Sequence, residues 1–549
     1  MLSASFTHGV IEWCSRAFCT SKIAVCSNYT FRMRASTYVA SCWSHWLLIS
    51  TIAYCFPIQH RNPSVWSSRN LQSGRLNSQF LTALHAVGYT RNYMRSGSRW
   101  WQGRLLQNEK NFNSSSPIFY PTANGADPTG GSDSTAALQK TINDAFEIAS
   151  SFSLLKGIRD LGGVQIHLGG GQYILSKPLT IPELGGGNIM IYGGTLRAAN
   201  TFPTDRFLVE LGSQEISQPN YEDIVLQNLM LDCNYRGGGI LLLNPIRITI
   251  SDCYITHFSS VGISVHKGHE TFIHNSFLGQ HITVGGDPQE SNFSGTAIRL
   301  DSNDNDVTDV VIFSAQIGIE VLGQANIMKG VHCYNKATGW GGTGIMIKKG
   351  ATQNRIIGCY MDYTGIVLEE SNRITISNSY FLGDAFILLK AGTSGTAFGL
   401  SIVDNIFTGS DHGVPIVQAQ GTFSLVKQTR VDDNSAAGMA LRSTRARVSV
   451  SGSGNSWTAD LSHVLLFPGA VAHVQYSFYT PQLNATNATA TFPQHALQSI
   501  TATSITVVSD QPVDAVVSFS VDQSSYGDNE MQNIYHVTSP GLQMAPLKH

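Results

Sequence analysis

A four-residue phrase, small then apolar then variable then apolar, recurs through the middle of this 549-residue chain. It reads Gly239-Ile240-Leu241-Leu242, Gly262-Ile263-Ser264-Val265, Ala297-Ile298-Arg299-Leu300 and Gly318-Ile319-Glu320-Val321. It continues as Gly344-Ile345-Met346-Ile347, Gly365-Ile366-Val367-Leu368 and Ala385-Phe386-Ile387-Leu388. The steps are 23, 35, 21, 26, 21 and 20 residues. Alternation sends one side chain inward and the next outward, so each phrase is a short strand. A second strand follows each after a polar turn, as in Ile248-Thr249-Ile250-Ser251 and Ile374-Thr375-Ile376-Ser377. One small β unit stacked many times is a solenoid. The leucine-spaced consensus of leucine-rich repeats is absent, and propeller blades need about 40 residues with Trp-Asp signatures. The pattern predicts an all-β chain, a right-handed single-stranded parallel β-helix.

Charge is segregated. Before residue 105 there are 11 Lys or Arg against one acid, Glu12; the rest carries 24 basic and 36 acidic residues, a net of −12. An acidic body is a poor general nucleic-acid binder, and a polyanion would need a local basic patch. Residues 1–110 lack the repeat and read as a leader. The apolar stretch Val39 to Phe56 after Met33-Arg34 suits a secretory signal, and the Arg-rich, acid-poor composition also suits an organellar transit peptide. Stable membrane insertion is not expected, because the stretch is short and carries Ser, His and Thr. Sequons at Asn113, Asn292, Asn484 and Asn487 fit a secreted protein.

Five of nine cysteines fall in the leader, leaving Cys233, Cys253, Cys333 and Cys359. Aligning the second strands sets Cys333 and Cys359 at one register on neighbouring coils, about 4.8 Å apart. Two stacked thiols and a disulfide both fit that placement. No CxxC pair exists, which argues against structural zinc.

The body opens with turn-rich residues 120–130 and an amphipathic helix from Ser134 to Ser150, N-capped by Asp133 or Ser134. One such helix covers the open end of the first coil, as terminal repeats require. The β-helix is expected over 116–445, followed by a β-rich C-terminal cap over 446–549. The 35-residue step holds an insertion, His281 to Gly295, that forms a wall on one face or a plain surface loop.

Stacking turns outward positions into columns. One reads Ser264, Arg299, Glu320, Met346 and Val367; the next reads His266, Asp301, Leu322, Lys348 and Glu369. The turn beyond adds His269-Glu270 and then Asp304-Asn305-Asp306. Carboxylates one or two coils apart meet either geometry of glycoside hydrolysis, about 5–5.5 Å for retention or 6.5–9.5 Å for inversion. Asp301, Asp304, Glu270 and Glu320 are therefore the catalytic candidates. Arg236, His269, His281, Arg299, Lys348 and Glu369 are candidates for holding substrate, Arg because it grips a carboxylate two-pronged. A second outward group, Asp232, Asp362 and Asp384, occupies coil corners, where Asp also caps turns.

Two stretches carry a resemblance. Gly125-Ala126-Asp127-Pro128-Thr129-Gly130 with Asp133-Ser134-Thr135-Ala136-Ala137-Leu138-Gln139 resembles the N-terminal signature of pectate-lyase-like β-helix proteins, rhamnogalacturonase-like and tailspike-like enzymes among them. Arg236-Gly237-Gly238-Gly239-Ile240, Gly268-His269-Glu270-Thr271, Ser302-Asn303-Asp304-Asn305 and Val331-His332-Cys333-Tyr334-Asn335 are similar to the plant quartet-type polygalacturonases. The resemblance covers about 116–520. It implies cofactor-free hydrolysis of galacturonan in cell-wall pectin by a secreted protein, expected to be a monomer. Ordinary polygalacturonases carry Asn-Thr-Asp, Asp-Asp, Gly-His-Gly and Arg-Ile-Lys in order; here Gly383-Asp384-Ala385 has one Asp, Lys348 stands without the Arg, and Gly-His-Gly is missing. The family's catalytic set does not carry over intact.

Two rivals stand beside the hydrolase. One is a calcium-dependent pectate lyase with Asp301, Asp304 and Asp306 on the ion and Arg299 or Arg236 as base. The other is a wall-binding β-helix without catalysis.

Overall fold

The computed structural model describes residues 116–148, 151–212, 218–280, 294–334, 342–370, 372–480 and 493–525. The leader, all four sequons, His281 and nearly all of the insertion lie outside them.

Each coil contributes three short strands that pair in parallel with their counterparts on the coils before and after. Sheet 1 has ten strands, from Leu179–Thr180 to Val417–Gln420. Its central members are β1 (Gly238–Leu243), β2 (Val261–His269), β3 (Ser294–Asn303), β4 (Ala315–Val321), β5 (Thr343–Ile347) and β6 (Ile366–Glu369). Sheets 2 and 3 join into one array of 22 strands because Gly186–Ala198 and Tyr221–Asp232 run unbroken through both. The structure is a parallel β-helix.

The phrase acquires a reason at each position. Its second residues stack as one ladder, Ile240, Ile263, Ile298, Ile319, Ile345, Ile366 and, shifted by one, Ile387. All are fully buried, and a β-branched side chain on a pleated surface packs well against its copy. The small residue is needed because the next coil lies close: a Cβ on Gly318 would stand 2.4 Å from the Gly344 carbonyl oxygen.

Corners show equal regularity. Ahead of each sheet 2 strand stands a left-handed residue: Arg247, Glu270, Asp304, Ala325, Gln353 and Arg373, with φ of 53°, 61°, 59°, 58°, 62° and 55°. Between sheets 2 and 3 the equivalent column is Asp252, Asn275, Asp309, Gly330, Gly358, Asn378, Asp404 and Asp433, the residue types that tolerate this conformation. Beside the first corner a buried asparagine ladder runs up the coils. Asn305 Oδ1 accepts the Thr271 N–H, Asn326 Oδ1 the Asn305 N–H and Asn354 Oδ1 the Asn326 N–H, at 3.0, 3.0 and 2.8 Å.

The helix α1 spans Thr135–Phe146 and buries Leu138, Ile142, Ala145 and Phe146. It is shorter than the sequence predicts; Ser134 is its N-cap, without a capping side-chain hydrogen bond, and Asp133 just ahead of it accepts the Thr135 N–H at 3.0 Å. After the last coil, Arg445–Asp460, His473–Tyr479, His495–Ile500 and Ser504–Asp522 form an antiparallel four-stranded sheet around Trp457, Val507 and Phe519.

The cysteine register differs from the expected one. Cys333 pairs with Met361, not Cys359, since Cys333 lies within a strand while Cys359 occupies a corner before one. All four thiols of the body are free and buried.

One corner carries an electrostatic load. Burial, with Glu222 and Asp160 close by, pushes the Asp223 carboxyl up to about 6 against the pull of Arg247. A raised acid binds protons in the folded state that the unfolded chain has released, so between the ordinary 3.8 and about 6 stability falls as pH rises. Asp223→Asn is expected to add on the order of 1–3 kcal/mol at pH 7 and nothing near pH 4. Asn fits the left-handed backbone there (φ 52°), and thermal melts at the two pH values provide the check.

Candidate active site

The outward face of sheet 1 gathers most of the expected residues. Registers place Ser264 beside Arg299, Arg299 beside Glu320, Glu320 beside Met346 and Met346 beside Val367. In the second column His266 stands beside Asp301, and Glu369 beside Lys390. Asp301 and Glu320 are thus diagonal neighbours, one strand over and two residues along. Those two steps put their Cα atoms about 8 Å apart.

Their environments differ. The Asp301 side chain is 47% exposed and meets His266 Nδ1 at 3.3 Å. The Glu320 side chain is 15% exposed, with Arg299 Nε at 3.6 Å, beyond hydrogen-bond reach. That buried Arg299 nitrogen has no hydrogen-bond partner among the described residues. Further along the axis Glu369 lies between two lysines, with Lys348 Nζ at 2.5 Å and Lys390 Nζ at 3.0 Å. The Lys348 ammonium above all, then Lys390, holds the Glu369 carboxyl below the usual range despite partial burial. Lys348 and Lys390 therefore stand on one axial side of the carboxylate pair, and Arg299 stands between Ser264 and Glu320 on the coil of Asp301.

The other candidates occupy edges. Glu270 and Asp304 are equivalent left-handed corner residues on successive coils, so they leave the sheet before its face ends. Arg247 Nε lies 2.9 Å from Glu270 Oε2, and His269 Nδ1 lies 3.7 Å from the same oxygen. Arg236 precedes β1 and donates from Nε to the Phe202 carbonyl at 2.9 Å. Asp232 is at the far end of a sheet 3 strand, with His257 Nδ1 at 2.9 Å and Arg197 Nε at 3.3 Å. Asp384 is a corner residue accepting the Ser410 N–H at 2.9 Å. His332 is a sheet 3 residue between the Phe313 and Tyr360 rings, and burial pushes its imidazole below the ordinary value.

Lys390 and Ser264 join the site although neither was on the list of candidates. Lys390 carries a readable signal, since it follows Ile387-Leu388-Leu389 at the position Glu369 holds in its own phrase. Elsewhere, a cavity of about 570 Å³ lies between α1 and residues 176–182, lined by Asp133, Gln139, Asn143 and Lys177. It holds no acid pair and lies among the first coils, well before sheet 1 reaches Asp301.

Comparison with known proteins agrees with the fold. A family model described as a right-handed β-helix region matches residues 291–454. Polygalacturonase QRT3 of Arabidopsis thaliana is 52% identical over 412 residues, covering 74% of this chain and 84% of that protein. Among solved structures, the A-module of the Azotobacter vinelandii mannuronan C-5 epimerase AlgE4 has a TM-score of 0.45 at 16% identity, over 58% of this chain and 96% of that one. The Dettilon tailspike protein has a TM-score of 0.43 at 13% identity, over 74% and 94%. The identity and coverage shared with QRT3 settle the relationship: the chain belongs to the quartet-type polygalacturonase family of pectate-lyase-like parallel β-helix proteins.

Proposed function

We propose that this protein is a secreted polygalacturonase-type glycoside hydrolase that cleaves galacturonan in cell-wall pectin. The carrying observation is the diagonal placement of Asp301 and Glu320 on one open face, with Arg299 beside Glu320 and two lysines further along the axis. Their Cα atoms stand about 8 Å apart, a backbone spacing from which two carboxyl groups can span the roughly 6.5–9.5 Å that leaves room for a water, the geometry of inversion at the anomeric carbon. Asp301, the more exposed, activates the water. Glu320, sunk beside Arg299, delivers the proton to the leaving oxygen. The Arg299 side chain is 36% exposed, so its outer guanidinium nitrogens can donate to a uronate carboxylate, which draws the cation from Glu320 as substrate binds. Lys348 and Lys390 extend the basic track for a chain lying along the axis.

The lyase reading finds less support. Asp301 is on the sheet 1 face while Asp306 opens a sheet 2 strand and accepts from Thr308. Among the described residues no group of three or more His, Cys, Asp or Glu is arranged to hold a metal ion.

The deciding experiment incubates the secreted body with polygalacturonic acid and follows reducing ends and ultraviolet absorbance together. Reducing ends without absorbance mean hydrolysis. Both rising means elimination, and binding without either means a non-catalytic wall protein.

A further inference from the structure

His266 belongs to a hydrogen-bonded chain that reaches from the buried Ser264 hydroxyl to the exposed carboxylate. Ser264 and His266 are two residues apart on one strand and so share its outward face. The Ser264 hydroxyl lies 2.9 Å from His266 Nε2, and His266 Nδ1 lies 3.3 Å from Asp301 Oδ2 on the next coil. The order Ser, His, Asp matches that of acyl-transfer triads. Ser264 is only 1% exposed, however, so its oxygen is out of reach of a substrate acyl carbon. The chain has its open end at Asp301.

We propose that His266 is a positioning residue that fixes Asp301 as the water-activating base, with Ser264 setting the imidazole tautomer. This rests on the reading of Asp301 as a catalytic group. A carboxylate offers only lone pairs, so the nitrogen facing it carries the hydrogen. In the neutral ring Nε2 is then the acceptor. Among the described hydrogen bonds the Ser264 hydroxyl has Nε2 as its one partner, so it donates there and the directions agree along the chain. Oδ2 is thereby held and Oδ1 is left to take a proton from water. Among the described residues the neighbouring strands supply no competitor on the other side: β1 sets Leu243 against His266, and β3 sets Asp301 there with Arg299 two residues before it. On β2 itself the nearby ionisable groups are Lys267 and His269, which lie towards the corner.

The test compares His266→Ala, His266→Asn and Asp301→Asn on polygalacturonate, with thermal melts on each. A positioned base supplies about 10²–10⁴-fold, and loss of its orientation by His266→Ala is expected to lower kcat about 10–100-fold with KM within about twofold. Asn at 266 presents an N–H where Nδ1 was, and is expected to recover kcat to within about fivefold of wild type. In an Asp301→Asn background, His266→Ala should add almost nothing further. If Asp301→Asn is inactive but His266→Ala turns over normally, or if Asn is as slow as Ala, the positioning role is overturned and the Asp301 reading stands. If Asp301→Asn keeps its turnover, both fall together.

Discussion

Asp301→Asn and Glu320→Gln are each expected to lower kcat on polygalacturonate about 10²–10⁴-fold, the contribution of a positioned acid or base. KM should stay within a few-fold, because each amide keeps the shape of its acid while Arg299, Lys348 and Lys390 still offer their charges. Asp301→Asn should barely move stability, since that side chain is largely open to solvent and surface substitutions usually stay within about 0.5 kcal/mol. Glu320→Gln should cost more, because it leaves the Arg299 guanidinium without its carboxylate. The double variant should be little slower than either single one, since groups that act as a unit lose their effect together. Asp304→Asn is the internal comparison. Asp304 sits at a left-handed corner, and an Asn there keeps the backbone and should retain most of the rate. Initial-rate kinetics, with nuclear magnetic resonance to read the anomeric configuration of the new reducing end, test the assignment. A dead Asp304→Asn beside an active Asp301→Asn would move the site to the corner.

Much of the fold was legible because a solenoid repeats its constraints. The phrase Gly318-Ile319-Glu320-Val321 needs a small residue at a tight approach, two inward apolar groups and one free position, and each neighbouring coil restates that need. The columns through Arg299 and Glu320 followed from counting alone and match the strand registers. Counting failed where a residue sits in a turn. Spacing aligns Cys359 with Cys333 as strand residues, but Cys359 is at a corner two positions ahead of the residue that faces Cys333. The end of α1 also escaped, since nothing in residues 147–150 breaks an apolar helical pattern sharply.

The site was half legible for the same reason. Sequence told which residues face outward but not which of two adjacent outward groups lies on the flat sheet and which at its corner. Asp301 and Asp304 are three residues apart, yet one stands on the face and the other on the bend. The deciding quantity is backbone φ, and Asp is at home on either side of zero, so its identity carries no signal. Partners were equally hidden. That Lys390 shares Glu369 with Lys348 follows from side-chain reach across three coils, which no spacing rule reports.

Asn326→Ala is expected to cost about 3–5 kcal/mol, the largest stability loss predicted here for a residue outside the hydrophobic core. Asn326 Oδ1 accepts both the Asn305 N–H at 3.0 Å and the Asn305 side-chain amide at 2.8 Å, and its own amide donates to the Ser302 carbonyl at 3.2 Å. Removing it takes their partner from the Asn305 N–H and the Ser302 carbonyl and one of two partners from the Asn305 amide, which keeps the Ser302 hydroxyl at 2.8 Å, in a region where Asn305 and Asn326 are 1% and 0% exposed. A buried unsatisfied group costs about 1–3 kcal/mol, and neighbouring losses are less than additive. Replacement by Leu should do no better, for it adds an apolar side chain while leaving the same Asn305 N–H and Ser302 carbonyl without that partner. Ser302 and Asn305 bracket the Asp304 corner just beyond Asp301, so the damage should reach catalysis as well as folding. The expected signature is a lower melting temperature together with a reduced kcat in the fraction still folded. An unchanged melt would mean that water enters the corner and replaces the ladder.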